Sequence, residues 1–537
     1  MNDSNKTENL TNSNINININ KIPNNENNYP IAKKKEENYE KPHGNISPKI
    51  ASFNIANSIL GAGILSLPIS IRYLGIIIGL IFFFIIGYET LLTVSFLIQS
   101  QEVTKKTSYA EITKEVLGNK GYLIILIMII LNNFGLCCAY FRIFGETMKN
   151  ILSAFVSEDS FFVTNYHNFF YILIIFILMG IVIFNDTLEG MENVSFIGIF
   201  GILIFVITLI IIYIYKIIYN LTLPKFTFSL FIWKNDISQL LSSLPTVILS
   251  YSFQFNVFAV YFTLKKPNQK QMMVTSGIGV IFCFFIYSIT GVIGYLMYGE
   301  ELNDTILNMM FNDMITYKDQ HSFLKWVLII SNIGFLMCST TGIPLMFFAL
   351  KKNFFLLILL FYKLTGRNDK IKIKEIKGKE LENMDNDNNN NDNNNINNNN
   401  IIGNSIEKTI ENSISSNENK TEIFELKFST QIKSDDDNNI IEELEMENST
   451  KFIIIIILYI IIGGITIIIP GLKVLFSLVG CNAANTISFI FPGLIFYVLI
   501  KNDKIHDSPI LPFCIFVIGC FLFVFCLNCE IYILFFK

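Results

Sequence analysis

Apolar runs alternate with short polar gaps along most of this chain, and many are long enough to cross a hydrocarbon core of ~30 Å, which takes about 20 helical residues. Eleven such runs, at 50–71, 75–98, 121–153, 169–185, 194–219, 240–264, 273–298, 323–350, 451–471, 474–500 and 509–535, predict eleven transmembrane helices. Residues 1–49 and 363–450 break the pattern: both are polar, and the second carries an Asn-rich tract across 386–400. Neither holds enough apolar residues to bury a core, so both are expected to be disordered and cytosolic. Helices one to eight then fall in 50–350 and nine to eleven in 451–537.

Lysine placement sets the orientation. Lys33, Lys34, Lys35, Lys41 and Lys49 precede the first run, Lys105, Lys106, Lys114 and Lys120 follow the second, and Lys265, Lys266 and Lys270 follow the sixth. Lys351, Lys352, Arg367, Lys501 and Lys504 extend the same alternation. The intervening gaps are poorer: 154–169 has no Lys or Arg and 299–322 has only Lys318, although 216–239 carries Lys216, Lys225 and Lys234. The positive-inside rule therefore places the N-terminus in the cytosol and the C-terminus outside.

Composition narrows the function. Of 537 residues, 52% are hydrophobic and only 16% charged, which is not a soluble enzyme's balance. A net charge of −4 gives no general attraction for nucleic acid. All nine cysteines lie in or beside apolar runs and read as small packing residues rather than a disulfide framework. The four histidines lie outside the runs, against a haem or di-iron membrane enzyme. No enzymatic activity and no resident cofactor are expected.

The first run reads Ser52-Phe-Asn54-Ile-Ala-Asn57-Ser58-Ile-Leu-Gly61-Ala62-Gly63-Ile64-Leu-Ser66-Leu-Pro68, with Asn, Ser, Gly and Pro at mid-membrane depth. Irregular backbone survives there only where it lines a protein cavity. Gly61 and Gly63 allow the helix to unwind, and the freed N–H groups of the next half-helix suit a carboxylate. Ser58, Ala62 and Ser66, four apart, equally suit a small-residue helix contact.

The motif Asn54-x-x-Asn57-x-x-x-Gly61-x-Gly63-Ile-Leu-x-Leu-Pro68 resembles the first helix of the amino acid/auxin permease superfamily, which holds sodium-coupled neutral and proton-coupled amino acid transporters. Four more stretches agree in order: Ser108-Tyr109-Ala-Glu111 with Leu117-Gly118; Asn133-Phe-Gly135 with Tyr140; Leu244-Pro245 through Tyr261 and Lys266-Pro267; and Pro470, Leu478-Val-Gly480 and Phe489-Ile-Phe-Pro492. The resemblance implies an all-α membrane protein with a 5+5 inverted-repeat transporter fold plus one helix. It also implies a second broken helix at the sixth span, around Ser250-Tyr251-Ser252-Phe253-Gln254-Phe255. Relatives often carry His-Pro where this chain has Gln254-Phe255. The implied substrate site comprises Gly61, Ala62, Gly63, Ile64, Asn133, Ser250, Phe253 and Gln254.

Coupling leaves two readings open. By resemblance to the sodium-coupled members, Thr340 or Thr341 joins Asn57 in a Na⁺ site, while hydroxyls bonding back to their own helix are the alternative. Glu89 is the carboxylate nearest a helix centre, and such a group suggests proton coupling. A proton needs one carboxylate, whereas dehydrated Na⁺ needs several oxygens at once, so the balance tilts to H⁺. Arg142 and Glu146, four apart, read as a local ion pair.

The expected function is secondary active transport of amino acids, neutral or broad in range, by alternating access coupled to H⁺ or Na⁺. The chain would act as a monomer in the plasma membrane or a vacuolar or lysosomal membrane. The competing reading is a non-transporting amino acid sensor that signals through its cytosolic segments.

Overall fold

Helix α1 (Pro48–Ile59) begins with a proline in its first turn, where a missing N–H costs nothing, and stops at Leu60. A 3₁₀ turn, Ala62–Ser66, follows, and α2 (Leu67–Leu74) restarts with Pro68 in its first turn and ends at Gly75, whose φ of 76° suits glycine. The two halves are bent by 51°, so the first span is broken where Gly61 and Gly63 interrupt it.

Four helices come next: α3 (Ile76–Thr104), α4 (Tyr109–Ser153), α5 (His167–Ile183) and α6 (Met191–Ile218). Ser108 caps α4 by accepting the Glu111 N–H at 3.2 Å, and Gly118, with φ 70°, divides its opening turns from the long span. The second broken span consists of α7 (Ile237–Tyr251), a 3₁₀ turn at Gln254–Asn256, and α8 (Val257–Tyr261). Then come α9 (Gln269–Tyr298), the short α10 (Ile306–Tyr317) and α11 (Ser322–Thr365). After the polar segment stand α12 (Asn448–Ile468), α13 (Leu472–Val479), two wide helical turns over Gly480–Ile490, α14 (Phe491–Lys501) and α15 (Ile510–Phe536).

This computed structural model describes residues 44–156, 160, 167–183, 191–221, 223–224, 237–303, 305–317, 321–365, 371–375, 442–446, 448–468 and 472–536. Residues 41–537 form one unit, and the other unit, 1–40, lies outside the described residues. Among the described residues eight helices are long and apolar enough to cross a membrane, or nine with α1 and α2 counted as one span. The expected eleven is not reached by this measure, although each expected run has a helical counterpart: α5 has 17 residues, and the Ile510–Cys526 stretch of α15 is also short.

Two features depart from the sequence reading. The gap 299–322 holds the helix α10, and α11 continues past residue 350 to Thr365. Within the polar segment, β1 (Ile371–Glu375) pairs antiparallel with β2 (Glu442–Met446), and the expected disorder of the Asn-rich stretch falls on 376–441, outside the described residues. The register sets Lys372 opposite Glu445 and Lys374 opposite Glu443, which places opposite charges at paired positions.

Burial runs as lipid solvent requires. On α3, Phe83, Ile86, Gly87 and Thr90 face inward while Ile81, Phe84 and Tyr88 are exposed, giving an apolar outer surface. Inside, α6 and α11 approach backbone to backbone: a Cβ on Gly334 would lie 2.6 Å from Gly201 O, and one on Gly201 would lie 3.2 Å from Cys338 N.

Candidate functional site

The two broken spans stop side by side. Ile59 O ends α1 and Ser250 O lies at the end of α7, and the Tyr287 hydroxyl from α9 stands 2.6 Å from the first and 2.8 Å from the second. One O–H is thus shared between two carbonyls that a continuous helix would have used itself. The breaks touch directly: a Cβ on Gly63 would overlap Ser250 Oγ and lie 3.3 Å from Ser250 Cα. Only glycine permits that approach. On the other side of the breaks, Asn256 Nδ2 donates to Ser58 Oγ at 3.0 Å. The stripe of Ser58, Ala62 and Ser66, spaced by four, is interrupted by the break and forms no continuous helix face.

Tyr140 completes this junction from α4. Its hydroxyl hydrogen-bonds the Ala62 backbone. A Cβ on Gly61 would lie 2.6 Å from Tyr140 Oη, and one on Gly342 of α11 would lie 2.5 Å from its Cζ. The ring is therefore wedged between the first break and α11, with its phenol oxygen on the unwound backbone.

The candidate residues divide into groups. Ala62, Gly63 and Ile64 lie buried in the first break, preceded by half-buried Gly61. Ser250 packs against Gly63 but donates its hydroxyl hydrogen back to Thr246 O at 2.7 Å. Gln254 is buried in a network that fixes the second break: Nε2 donates to Thr93 Oγ1 of α3 at 3.1 Å, and Oε1 accepts Phe253 N–H at 3.0 Å and the Ser488 hydroxyl at 2.9 Å. Ser488 also meets Ser252 Oγ at 3.0 Å. Gln254 thus ties α3, the second break and the wide turn before α14 together. Asn133 lies seven residues before Tyr140 on the same face of α4, with Nδ2 donating to Ile129 O at 2.9 Å and a buried Oδ1 that accepts nothing among the described residues.

The ion-coupling candidates lie in two places. Asn57 Nδ2 donates to Ser195 Oγ at 3.1 Å, which leaves Oδ1 pointing at Gly198 of α6. A Cβ on Gly198 would be 2.8 Å from Asn57 Oδ1 and 2.8 Å from Thr341 Oγ1, so the two oxygens lie no further apart than twice 2.8 Å. Thr341 also donates to its own helix, at 3.0 Å to Cys338 O, and Thr340 does the same to Leu336 O at 2.7 Å. Glu89 stands apart from this pair, on the Thr93 face of α3. Both its carboxylate oxygens are buried, and neither has a hydrogen-bond partner at ordinary geometry among the described residues. Thr93, one turn on, brings its hydroxyl within reach of that carboxyl, and the same oxygen lies 3.1 Å from Thr90 O and 3.2 Å from Glu89 O. The expected Arg142–Glu146 pair is formed, at 3.0 Å.

Sequence reasoning missed Tyr287, Ser195, Gly198, Gly342, Thr93 and Ser488, and gave Tyr140 no role in the site. A tyrosine at the centre of the Ile, Phe and Gly run of α9 was the one available signal, since a buried phenol needs a partner.

Comparison with known proteins follows the same lines. Residues 44–531 match the family described as transmembrane amino acid transporter protein. Amino acid transporter AVT6D of Arabidopsis thaliana is 28% identical over 323 residues, covering 58% of this chain and 70% of that protein. Vacuolar amino acid transporter 2 of Saccharomyces cerevisiae is 25% identical over 273 residues, 49% of this chain and 54% of its own length. Sodium-coupled neutral amino acid symporter 2 of Danio rerio is 23% identical over 348 residues, 60% of this chain and 66% of that protein. The crystal structure of MhsT in complex with L-phenylalanine matches with a TM-score of 0.54 at 10% identity, covering 91% of this chain and 100% of MhsT, which shows a shared fold. That fold is the inverted-repeat transporter fold. With paired broken spans, an apolar outer surface and a family match that runs almost end to end, the chain belongs to the transmembrane amino acid transporter family.

Proposed function

We propose that the chain is a secondary active transporter that carries amino acids, neutral or broad in side-chain range, by alternating access at the junction of the two broken spans. The observation that carries this reading is the direct contact between the breaks at Gly63 and Ser250, with Tyr287 bridging their carbonyls and Tyr140 on the Ala62 backbone. Unwound N–H groups at the head of α2 suit a substrate carboxylate, and carbonyls at the end of α7, outside the regular helical ladder, suit its ammonium group. The coupling ion is H⁺, carried by Glu89, and the Asn57–Thr341 pair is the position a Na⁺-driven mechanism would use instead. The likeness to a sodium-coupled symporter of Danio rerio favours Na⁺, and the buried carboxyl of Glu89 favours H⁺. No resident cofactor takes part, since the ion is cargo. The protein works as a monomer in the plasma membrane or a vacuolar or lysosomal membrane, with Ile46 and the start of α1 on the cytosolic side.

Uptake of labelled amino acids into proteoliposomes, under H⁺ and Na⁺ gradients imposed separately, tests the reading. Saturable uptake of at least one neutral amino acid, driven by the H⁺ gradient, is expected. Folded protein that transports none sinks the transporter reading, and accumulation under Na⁺ alone moves the coupling from Glu89 to Asn57 and Thr341.

A further inference from the structure

Glu89 reaches the second break through one intermediary. Thr93 stands one turn further along α3, with its hydroxyl within reach of the Glu89 carboxyl, and Gln254 Nε2 donates to that same hydroxyl oxygen at 3.1 Å. Thr93 and Gln254 are both 0% exposed, so these contacts are made away from bulk water.

Hydrogen counting fixes one end of this chain. The Gln254 amide oxygen has two lone pairs, and they take the Phe253 N–H at 3.0 Å and the Ser488 hydroxyl at 2.9 Å. Turning the amide over would set two N–H groups face to face, so the nitrogen points at Thr93 and can only donate. Thr93 thus spends one lone pair on Gln254 and keeps one hydrogen and one lone pair. Three acceptors compete for that hydrogen: Thr90 O at 3.1 Å, Glu89 O at 3.2 Å and the Glu89 carboxyl.

The ionisation of Glu89 decides the competition. A carboxylate only accepts, and its charge-assisted bonds are about twice as strong as neutral ones, so it draws the Thr93 hydrogen. A hydroxyl that donates to an anion becomes a better acceptor, which strengthens the bond from Gln254. A proton on Glu89 reverses the arrangement. The carboxyl then donates to the remaining lone pair of Thr93, and the Thr93 hydrogen goes to Thr90 O. Thr93 now accepts twice, and Gln254 shares its acceptor with the acid.

Neighbouring helices leave this exchange to Glu89. Among the described residues Tyr109 of α4 is the titratable group in electrostatic reach of it, and the Tyr109 hydroxyl is given to Ile487 O at 2.9 Å. Of the other helices against α3, α7 brings Tyr251, whose ring lies beside Gly87, and α9 brings Cys283 and Tyr287 at mid-span. Arg72, Lys270 and Lys501 stand in terminal turns of α2, α9 and α14.

We propose that Thr93 transmits proton binding to the second break: its hydroxyl reverses with the ionisation of Glu89, and Gln254 is held more firmly to α3 while Glu89 is charged. The proposal rests on H⁺ coupling at Glu89 and names the positioning residues that pass it on. The linkage runs both ways. If Glu89 alters the hold on Gln254, then Gln254 alters the ionisation of Glu89 by the same free energy, although it gives Glu89 no hydrogen bond.

The full chain is reconstituted in lipid, and the infrared band of the protonated Glu89 carboxyl, identified by its absence in Glu89→Gln, is followed as the pH is stepped. No transport is measured. Thr93→Val removes the donor to the carboxylate and should raise the midpoint by at least about one pH unit, a tenfold change in the ionisation equilibrium, while Thr93→Ser keeps the hydroxyl and the midpoint. Gln254→Met should raise it about threefold in the same equilibrium, and should add nothing once Thr93→Val is present. Where Gln254→Met is not recovered as monodisperse protein, Gln254→Asn, one methylene short of Thr93, takes its place. A titrating band that ignores the Gln254 substitution, or that still responds to it beside Thr93→Val, overturns the transmission through Thr93 and leaves Glu89 as proton carrier. A Glu89 band that never titrates overturns both.

Discussion

Gly63→Ala is the substitution that bears most directly on the junction. The added methyl carbon would occupy the place of Ser250 Oγ, with Ser250 Cβ 3.2 Å and Cα 3.3 Å away. Ser250 is poorly able to yield, because its hydroxyl is held by Thr246 O at 2.7 Å and its carbonyl by Tyr287 at 2.8 Å. Overpacking of this kind costs ~1–3 kcal/mol, and since ~1.4 kcal/mol is a factor of ten, initial uptake should fall about 10- to 100-fold. Gly63→Val adds two more carbons and a stiff χ1 and should abolish uptake while the protein still reaches the membrane. Adding Ser250→Ala to Gly63→Ala removes the overlapping oxygen but leaves Cβ at 3.2 Å, so it should restore part of the rate, with a coupling of about 1 kcal/mol or more. The assay is initial labelled amino acid uptake into proteoliposomes, normalised to monodisperse protein. Wild-type rates in Gly63→Ala, or no gain from the second substitution, would refute the direct contact as the functional junction.

Glu89→Gln should abolish accumulation driven by a pH gradient while exchange of amino acid across the membrane persists; concentrative uptake under a proton gradient in that variant would remove Glu89 as the coupling group. Tyr287→Phe leaves Ile59 O and Ser250 O without their shared donor and should lower stability by ~1–3 kcal/mol, read as a drop in thermal midpoint in detergent, with unchanged melting counting against the bridge. Deleting 376–441 and rejoining the β1–β2 pair with a short turn should leave flux within about twofold of wild type, because β1 and β2 already bring the two ends of that segment together; loss of all output on deletion would favour a sensor instead.

The first break was legible because Gly61, Gly63 and Pro68 are residues a lipid-facing helix avoids, and their positions alone indicate where the backbone must unwind. The second was harder to read. Ser252-Phe253-Gln254 contains neither Gly nor Pro, while Pro245 lies inside α7 without ending it, so only the resemblance placed the break there. Gln254 illustrates the limit of the residue reading: it is polar and at the right depth, yet its partners are Thr93 and Ser488, which lie 161 and 234 residues away in sequence. The Tyr287 bridge spans 228 residues to Ile59, a pairing no local pattern encodes. The helix α10 was hidden for another reason, since its flanks are polar and its one charged inward residue, Asp313, reads as loop until Lys216 is seen against it.

The close approach of α6 and α11 at Gly201 and Gly334 has a thermodynamic corollary. Two helices in backbone contact cannot slide or roll independently, so any displacement would carry them together as one rigid plate. Thr341 rides on that plate, whereas Asn57 belongs to α1, which ends at the break. Any cation held between their oxygens therefore bridges two separate parts, and if alternating access moves those parts its affinity must differ between the states in which they are near and apart. By reciprocity, the difference in the ion's binding free energy between those states equals the bias it imposes on the conformational equilibrium, so ion affinity measured at two fixed conformations would give the coupling energy directly.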